Sequence, residues 1–421
     1  METKNVNLYL YNSKKTVDSI FNALYNDIDK PMTASQFNRC ISSIQPVIKD
    51  GHNNLLPGKD LQNYYAENAF YFPLDFIVSY NKLYVTQNFS DDKSIQIGDE
   101  ITSINGETAI TIFNKLVSLQ VRDGDNLLYP EYLSEFYFRS FYGFYFGFPK
   151  EHQLELTKAN GAMVSITLHG LKLNVIQDRR KLISTPRYDE THFTKGISWD
   201  IKNENKYAIL NIRTWSNDLL KLKYHQKFKS ELQKFIEELK QNPPQNLIID
   251  LRGNQGGDGL NGILLLQHLL NKPFNYFTSV KAYNKKMETI DVARLLTKTY
   301  KPKNYVYTGN VYVLTNAGSF SNSAIFAKLI QHYNRGKIAG SETGGDGILL
   351  SGGAGYYVAP NTKLNLLKVT NQMITTVETE NTGRGVKPDI EINPSLSDIL
   401  ENNDVVLEQL IKIISIEKQL H

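Results

Sequence analysis

What the sequence has little of narrows the field first. A single cysteine, Cys40, among 421 residues excludes a disulfide framework within the chain and any cluster of metal-binding thiolates. No apolar run approaches the roughly 18 residues of a membrane-spanning helix. Neither sign of charge dominates: 47 Lys and Arg against 43 Asp and Glu leave a formal +4, too small a surplus for a dedicated nucleic-acid binder. The densest basic stretch, Lys221 to Lys229, has helical spacing and is no charged tail. The chain has neither an internal repeat nor a low-complexity segment. No apolar run precedes Leu8, so the sequence as it stands shows no signal peptide; a cytoplasmic location and export after loss of a leader both stay open.

What is present is a large apolar and aromatic content. A hydrophobic fraction of 41%, with 25 Tyr and 20 Phe, excludes a disordered chain and supplies more than one core. The length corresponds to roughly two to three domains. Val17, Ile20, Phe21 and Leu24 recur at helical spacing, and a second helix is expected after Thr33, ending near Asp50-Gly51. From about residue 72 the texture changes to short strands. The segment Ile97 to Gly106 contains Gly98-Asp99, Ile101, Ile104 and Asn105-Gly106, a strand bounded by tight turns, with a helix expected at about 111–119. Residues 132–148 are crowded with aromatics and read as a strand or linker packed on a core, or as a sticky rim for an extended substrate. Residues 152–175 read as two more strands.

From about residue 205 strands alternate with helices. Lys206 to Ile212 is a strand, Leu219 to Leu239 one long amphipathic helix, and Asn246 to Leu251 a buried strand. Leu260 to Leu270 is helical, Asn310 to Thr315 is another buried strand, and a helix begins near Ser321. That alternation predicts a parallel-rich α/β domain with its working loops at strand C-termini.

Four clusters could carry chemistry. Asp250-Leu251-Arg252-Gly253-Asn254-Gln255-Gly256-Gly257 places two glycines after a strand, suited to a sharp turn or to presenting N–H groups to an anion. The spacing fits neither a dinucleotide fingerprint nor a P-loop, which leaves an oxyanion hole or a plain turn. Leu314 to Ala324 holds Ser321 where a helix starts, as a nucleophile or as a helix cap. His52, in Asp50-Gly51-His52, is a base or a structural histidine. Glu378 and Glu380 precede Gly383-Arg384-Gly385-Val386-Lys387-Pro388-Asp389, as a base-orienting carboxylate or a solvated turn.

The segment Ile97 to Gly106, followed by a helix, resembles the C-terminal half of a PDZ domain, without a recognisable glycine-rich carboxylate-binding loop. The ordered set of Asp-Leu-Arg-Gly-Asn-x-Gly-Gly, Leu-Thr-Asn-(x)4-Ser, Gly-x-x-Thr-Gly-Gly at Gly340 to Gly345 and Gly-Val-Lys-Pro-Asp resembles the C-terminal processing protease and tricorn-core family of serine peptidases. The resemblance implies an α/β fold: a crotonase-like peptidase core with an N-terminal helical segment and an inserted PDZ-like module. The corresponding domains are residues 1–68, 69–178 and 179–421. It implies cleavage of an extended peptide or unfolded protein segment, no cofactor or metal, and an exported protein. Ser321 resembles the nucleophile. The N–H groups of Asn322 and of Gly256 or Gly257 resemble the oxyanion hole.

The lysine base of the processing-protease branch would fall at Asp346, so Asp346 is expected to be non-catalytic. The histidine-base, tricorn-like branch matches His52, although Gly51 stands where that branch has a serine. The implied constellation is Ser321, His52 and Glu380, with Glu378 a competitor because two extra residues precede Pro388. The alternatives are a catalytically silent peptide- or ligand-binding protein and, more weakly, an enzyme acting on small acyl groups, for which no CoA-binding motif is visible.

Overall fold

The structure is a computed structural model, and it describes residues 5–183, 194–202, 207–284, 286–353, 355–367, 369–378 and 383–417. Three helices open the chain: α1 (Lys14–Asp27), α2 (Ala34–Ser42) and α3 (Lys59–Asn68). A reciprocal pair of bonds between Thr33 and Gln36 fixes the start of α2. The expected second helix is interrupted: Gln45–Ile48 forms a separate turn that ends at Lys49, whose φ is +56°.

An antiparallel sheet follows in the spatial order β1 (Leu74–Ser79), β2 (Lys82–Asn88), β3 (Glu100–Ile104), β4 (Glu151–Thr157) and β5 (Met163–His169). The helix α4 (Ala109–Val117) buries Ile112, Phe113 and Leu116 against it. The aromatic run is neither strand nor linker. It forms α5 (Leu128–Phe136) and α6 (Phe138–Phe146), which bury Tyr129 and Leu133, then Phe138 and Tyr142, at i, i+4 spacing. Aromatics on the remaining faces hide that period in the sequence.

The parallel-rich sheet contains β6 (Ile197–Lys202), β7 (Tyr207–Ile212), β8 (Asn246–Asp250), β9 (Asn310–Thr315), β10 (Lys337–Gly340) and β11 (Ile390–Glu391), side by side in sequence order. Every neighbouring pair is parallel except β6 with β7. Right-handed crossovers that always step the same way put their helices on one face. There α7 (Phe228–Gln241), α8 (Gly259–Leu266) and α9 (Asn322–His332) pack on Leu247, Ile249, Val311 and Val313. Ile248, Tyr312 and Leu314 alternate to the other face, which α10 (Val405–Glu417) covers with Val406, Leu410 and Ile414. The single helix expected from Leu219 to Leu239 is broken after Asn217–Tyr224, because His225 takes a left-handed conformation with φ +53°. Among the described residues no helix is long and apolar enough to cross a membrane.

One small sheet decides where the N-terminal segment lies. Leu55–Leu56 pairs antiparallel with Asn365–Leu367, which pairs in turn with Tyr356–Val358. This staples the chain just beyond His52 to the α/β unit.

Candidate active site

Ser321 sits between β9 and α9 with φ +55° and ψ −123°, a conformation that costs a non-glycine residue on the order of 1–3 kcal/mol. The flanking residues hold it there. Phe320 N–H donates to the Asn254 carbonyl at 3.1 Å. The Tyr276 hydroxyl donates to Asn322 Oδ1 at 2.8 Å, and Trp215 Nε1 donates to Ser323 Oγ at 2.9 Å. Ser321 makes no side-chain capping bond to its helix. Its Oγ instead lies 3.0 Å from His52 Nε2, across 269 positions of sequence.

The Asp50-Gly51-His52 turn is built from buried carboxylates. Asp50 Oδ1 accepts the His52 N–H at 2.9 Å. Asp50 Oδ2 accepts Asn53 Nδ2 at 2.7 Å and Ser351 Oγ at 2.6 Å. Asp123 Oδ1 accepts the Gly51 N–H at 2.8 Å, and its Oδ2 accepts the Asp346 N–H at 3.1 Å. A Cβ on Gly51 would lie 2.5 Å from the Phe320 ring and 2.9 Å from Asp123 Oδ1. The neighbouring serine of the tricorn-like pattern therefore has no room here. The His52 ring lies 4.9 Å from Phe320, which stacks at 4.0 Å on Tyr129 of α5.

Burial holds the His52 imidazole below its ordinary value, against an opposing pull from Asp50. A neutral ring with Nε2 facing a hydroxyl is a competent proton acceptor. Nδ1 is 3.8 Å from Asp50 Oδ1 and has no hydrogen-bond partner among the described residues. Glu380 lies outside the described residues, and Glu378 is exposed. Burial raises Asp50, and burial plus the Asp50 charge pushes Asp123 up to about 8, against the opposing effect of the two backbone N–H groups it accepts.

The glycine loop after β8 lies against the serine. Gly256 has φ +99°, and a Cβ there would fall 2.7 Å from Ser321 Cβ. Its N–H donates to Asn254 Oδ1 at 2.9 Å, so Gly256 is not a free donor and drops out of the expected pair. The N–H groups of Gly257 and Asn322 have no acceptor among the described residues. The loop is tied down by Asn254, whose Nδ2 donates to the Ile212 carbonyl at 2.8 Å. Arg252, almost fully buried, bonds Asp250 below it and reaches Asp404, ahead of α10, with both terminal nitrogens at 2.6 and 2.7 Å.

Asp346 accepts the N–H groups of Ile348 and Leu349 at 2.6 and 3.2 Å, which shapes its turn and leaves no lysine in that place. Asp50, His52 and Asp123 offer donor atoms within 4.8 Å of one another. The four carboxylate oxygens already accept protein N–H and O–H groups, and His52 Nε2 faces Ser321, which leaves His52 Nδ1 as the donor atom of the set without a partner among the described residues. Sequence reasoning missed Asp123, Phe320, Tyr129 and Asp404. The first three meet only through tertiary packing, and Asp404 stands in a segment with no distinguishing motif.

Against known proteins, the model of Peptidase family S41 matches residues 206–392. A probable CtpA-like serine protease of Staphylococcus aureus strain N315 is 24% identical over 197 residues, which are 47% of this chain and 35% of that protein. The match thus spans about a third of that relative's length. Mature CPAF superposes with a TM-score of 0.69 at 14% identity, covering 94% of this chain and 91% of that one. Mature CPAF complexed with lactacystin gives 0.69 at 13% identity, over 98% and 95%. At such identities the likeness is one of fold.

Proposed function

Residues 206–392 are a peptidase family S41 domain, and from that premise we propose that the protein is a serine peptidase that cleaves extended peptides or C-terminal protein segments through an acyl-enzyme on Ser321. The observation that carries this is the 3.0 Å contact between His52 Nε2 and Ser321 Oγ beside two unengaged backbone N–H groups. His52 takes the hydroxyl proton as Ser321 attacks the scissile carbonyl. The Gly257 and Asn322 N–H groups receive the oxyanion. His52 then protonates the leaving amine, and water attacks the acyl-enzyme with the same base assistance. Glu380, or Glu378, orients His52 from the Nδ1 side. Residues 179–421 act as a crotonase-like core, 69–178 as a PDZ-like module that helps hold the extended substrate, and 1–68 as the segment that brings the base. The location proposed with this reading is an exported one.

A fluorophosphonate probe tests the reading. Label mapped to Ser321 in the wild type and lost in His52→Ala supports it. A folded wild type that takes no label at Ser321 sinks it in favour of a silent binding protein, which has no use for a strained serine aimed at a neutral histidine.

The pH profile follows from the site. The working His52 is neutral, and burial lowers its pKa, so activity is lost only as pH falls through a value below the ordinary histidine value of about 6.5. The acid limb of kcat/KM is expected there. Asp50→Asn removes the opposing charge and should move the limb lower still. A wild-type limb at or above the ordinary value contradicts this account.

A further inference from the structure

A cavity of about 620 Å³ is lined by chain neighbours and packing neighbours of the catalytic groups, though not by Ser321, His52 or Gly257 themselves. Its walls come from the segments that carry them. Leu55 and Leu56 follow His52, Gln255 precedes Gly256, and Tyr129 stacks on Phe320 next to Ser321. The aromatic run of α5 and α6 supplies another wall through Tyr137, Phe141 and Phe144. The volume is that of a ligand pocket and exceeds what an internal packing defect leaves.

Much of the amide lining is already engaged. Gln45 bonds the Leu119 carbonyl and the Leu55 N–H, and Gln62 bonds the Pro57 carbonyl. Among the lining residues only Arg39 is charged. It donates to the Tyr145 carbonyl at 2.7 Å and has no carboxylate partner within ion-pair distance among the described residues. The cavity thus joins aromatic and aliphatic walls with uncharged amides, among them Asn38, whose buried Oδ1 has no partner among the described residues, and with one half-buried guanidinium. A lysine or arginine side chain entering it would meet a like charge in poorly solvated surroundings.

We infer that this cavity is the specificity subsite of the peptidase, taking a large apolar or aromatic residue of the substrate near the scissile bond, and that Arg39 makes it reject basic residues while accepting neutral or acidic neighbours. The inference rests on the serine-peptidase reading above. It also gives the aromatic run a task. Gln255 is held between two of the subsite's walls: its Nε2 donates to the Tyr137 hydroxyl at 3.2 Å, and the Tyr129 hydroxyl donates to its Oε1 at 3.4 Å.

The test is cleavage of a mixture of synthetic peptides by the full chain, with products identified by mass spectrometry, alongside fluorophosphonate labelling of each variant. In the wild type, one position near the cut should favour Phe, Tyr or Leu over Lys and Arg by about tenfold or more. Ala66→Trp, which fills the cavity from α3, should raise KM for peptides with Phe at that position by about tenfold, with Ser321 labelling unchanged. Arg39→Gln should narrow the discrimination against Lys at the same position by a similar factor, again with labelling intact. A labelled wild type that cleaves none of the peptides, or shows no residue preference, overturns the subsite. So do both variants keeping the wild-type preference while labelling normally. A wild type that takes no label fails the peptidase reading instead, which separates the two conclusions.

Discussion

Alanine at Ser321 is expected to lower kcat on a cleaved peptide by on the order of ten thousand- to a millionfold, alanine at His52 by a similar factor, and both together by no more than either alone. The reason is geometric. Ser321 Oγ and His52 Nε2 share one proton across 3.0 Å, so a serine without its base and a base without its serine are equally idle. The rate that survives comes from binding and from the backbone donors at Gly257 and Asn322. Saturating kinetics on the three variants check this. A double replacement whose loss is the product of the single losses would mean that the two residues act separately, and a His52→Ala enzyme within about a hundredfold of wild type would mean that another group takes the proton.

Gly257→Ala is expected to cost at least about a hundredfold in kcat, with folding retained, because removing one oxyanion donor costs about 3 to 4 kcal/mol of barrier. Gly257 has φ +138°, and a Cβ there would be driven into Ser216 N and to within 2.5 Å of the Trp215 carbonyl carbon. The loop cannot evade this by sliding toward the serine, because Gly256 already packs against Ser321. The backbone must rotate, and the Gly257 N–H turns with it. Fluorophosphonate labelling of Ser321 should slow as well, since the phosphonyl oxygen uses the same donors. Turnover within about threefold of wild type in a folded Gly257→Ala protein would move the oxyanion donor elsewhere.

Much of this arrangement is legible in the sequence where backbone chemistry is local. A buried strand running into paired glycines at Gly256-Gly257, and Ser321 at a strand-to-helix junction, follow from turn and helix-start rules, and the structure has β8 and β9 feeding those loops. The division of labour between Gly256 and Gly257 is not legible. It depends on Asn254 folding back two residues to take one N–H, which the letters Asn and Gly do not announce. The aromatic run was opaque for a different reason: when a helix buries one face in a module and lines a cavity with another, apolar residues occur at every position and periodicity disappears. From its residues alone His52 reads as a base or as a structural histidine, and only the resemblance pairs it with Ser321. The surroundings that suit it to the proposed role come from its own turn at Asp50 and from two distant segments that bring Asp123 and Phe320.

His52 precedes Ser321 by 269 positions, and the segment just beyond His52 is joined to the α/β unit by the pairing of Leu55–Leu56 with Asn365–Leu367. At translation speeds of about 5 to 20 residues per second, His52 waits on the order of tens of seconds for its partner. Until residues 365–367 have emerged and paired, the growing chain holds no assembled proton acceptor at Ser321, whatever the state of the α/β unit.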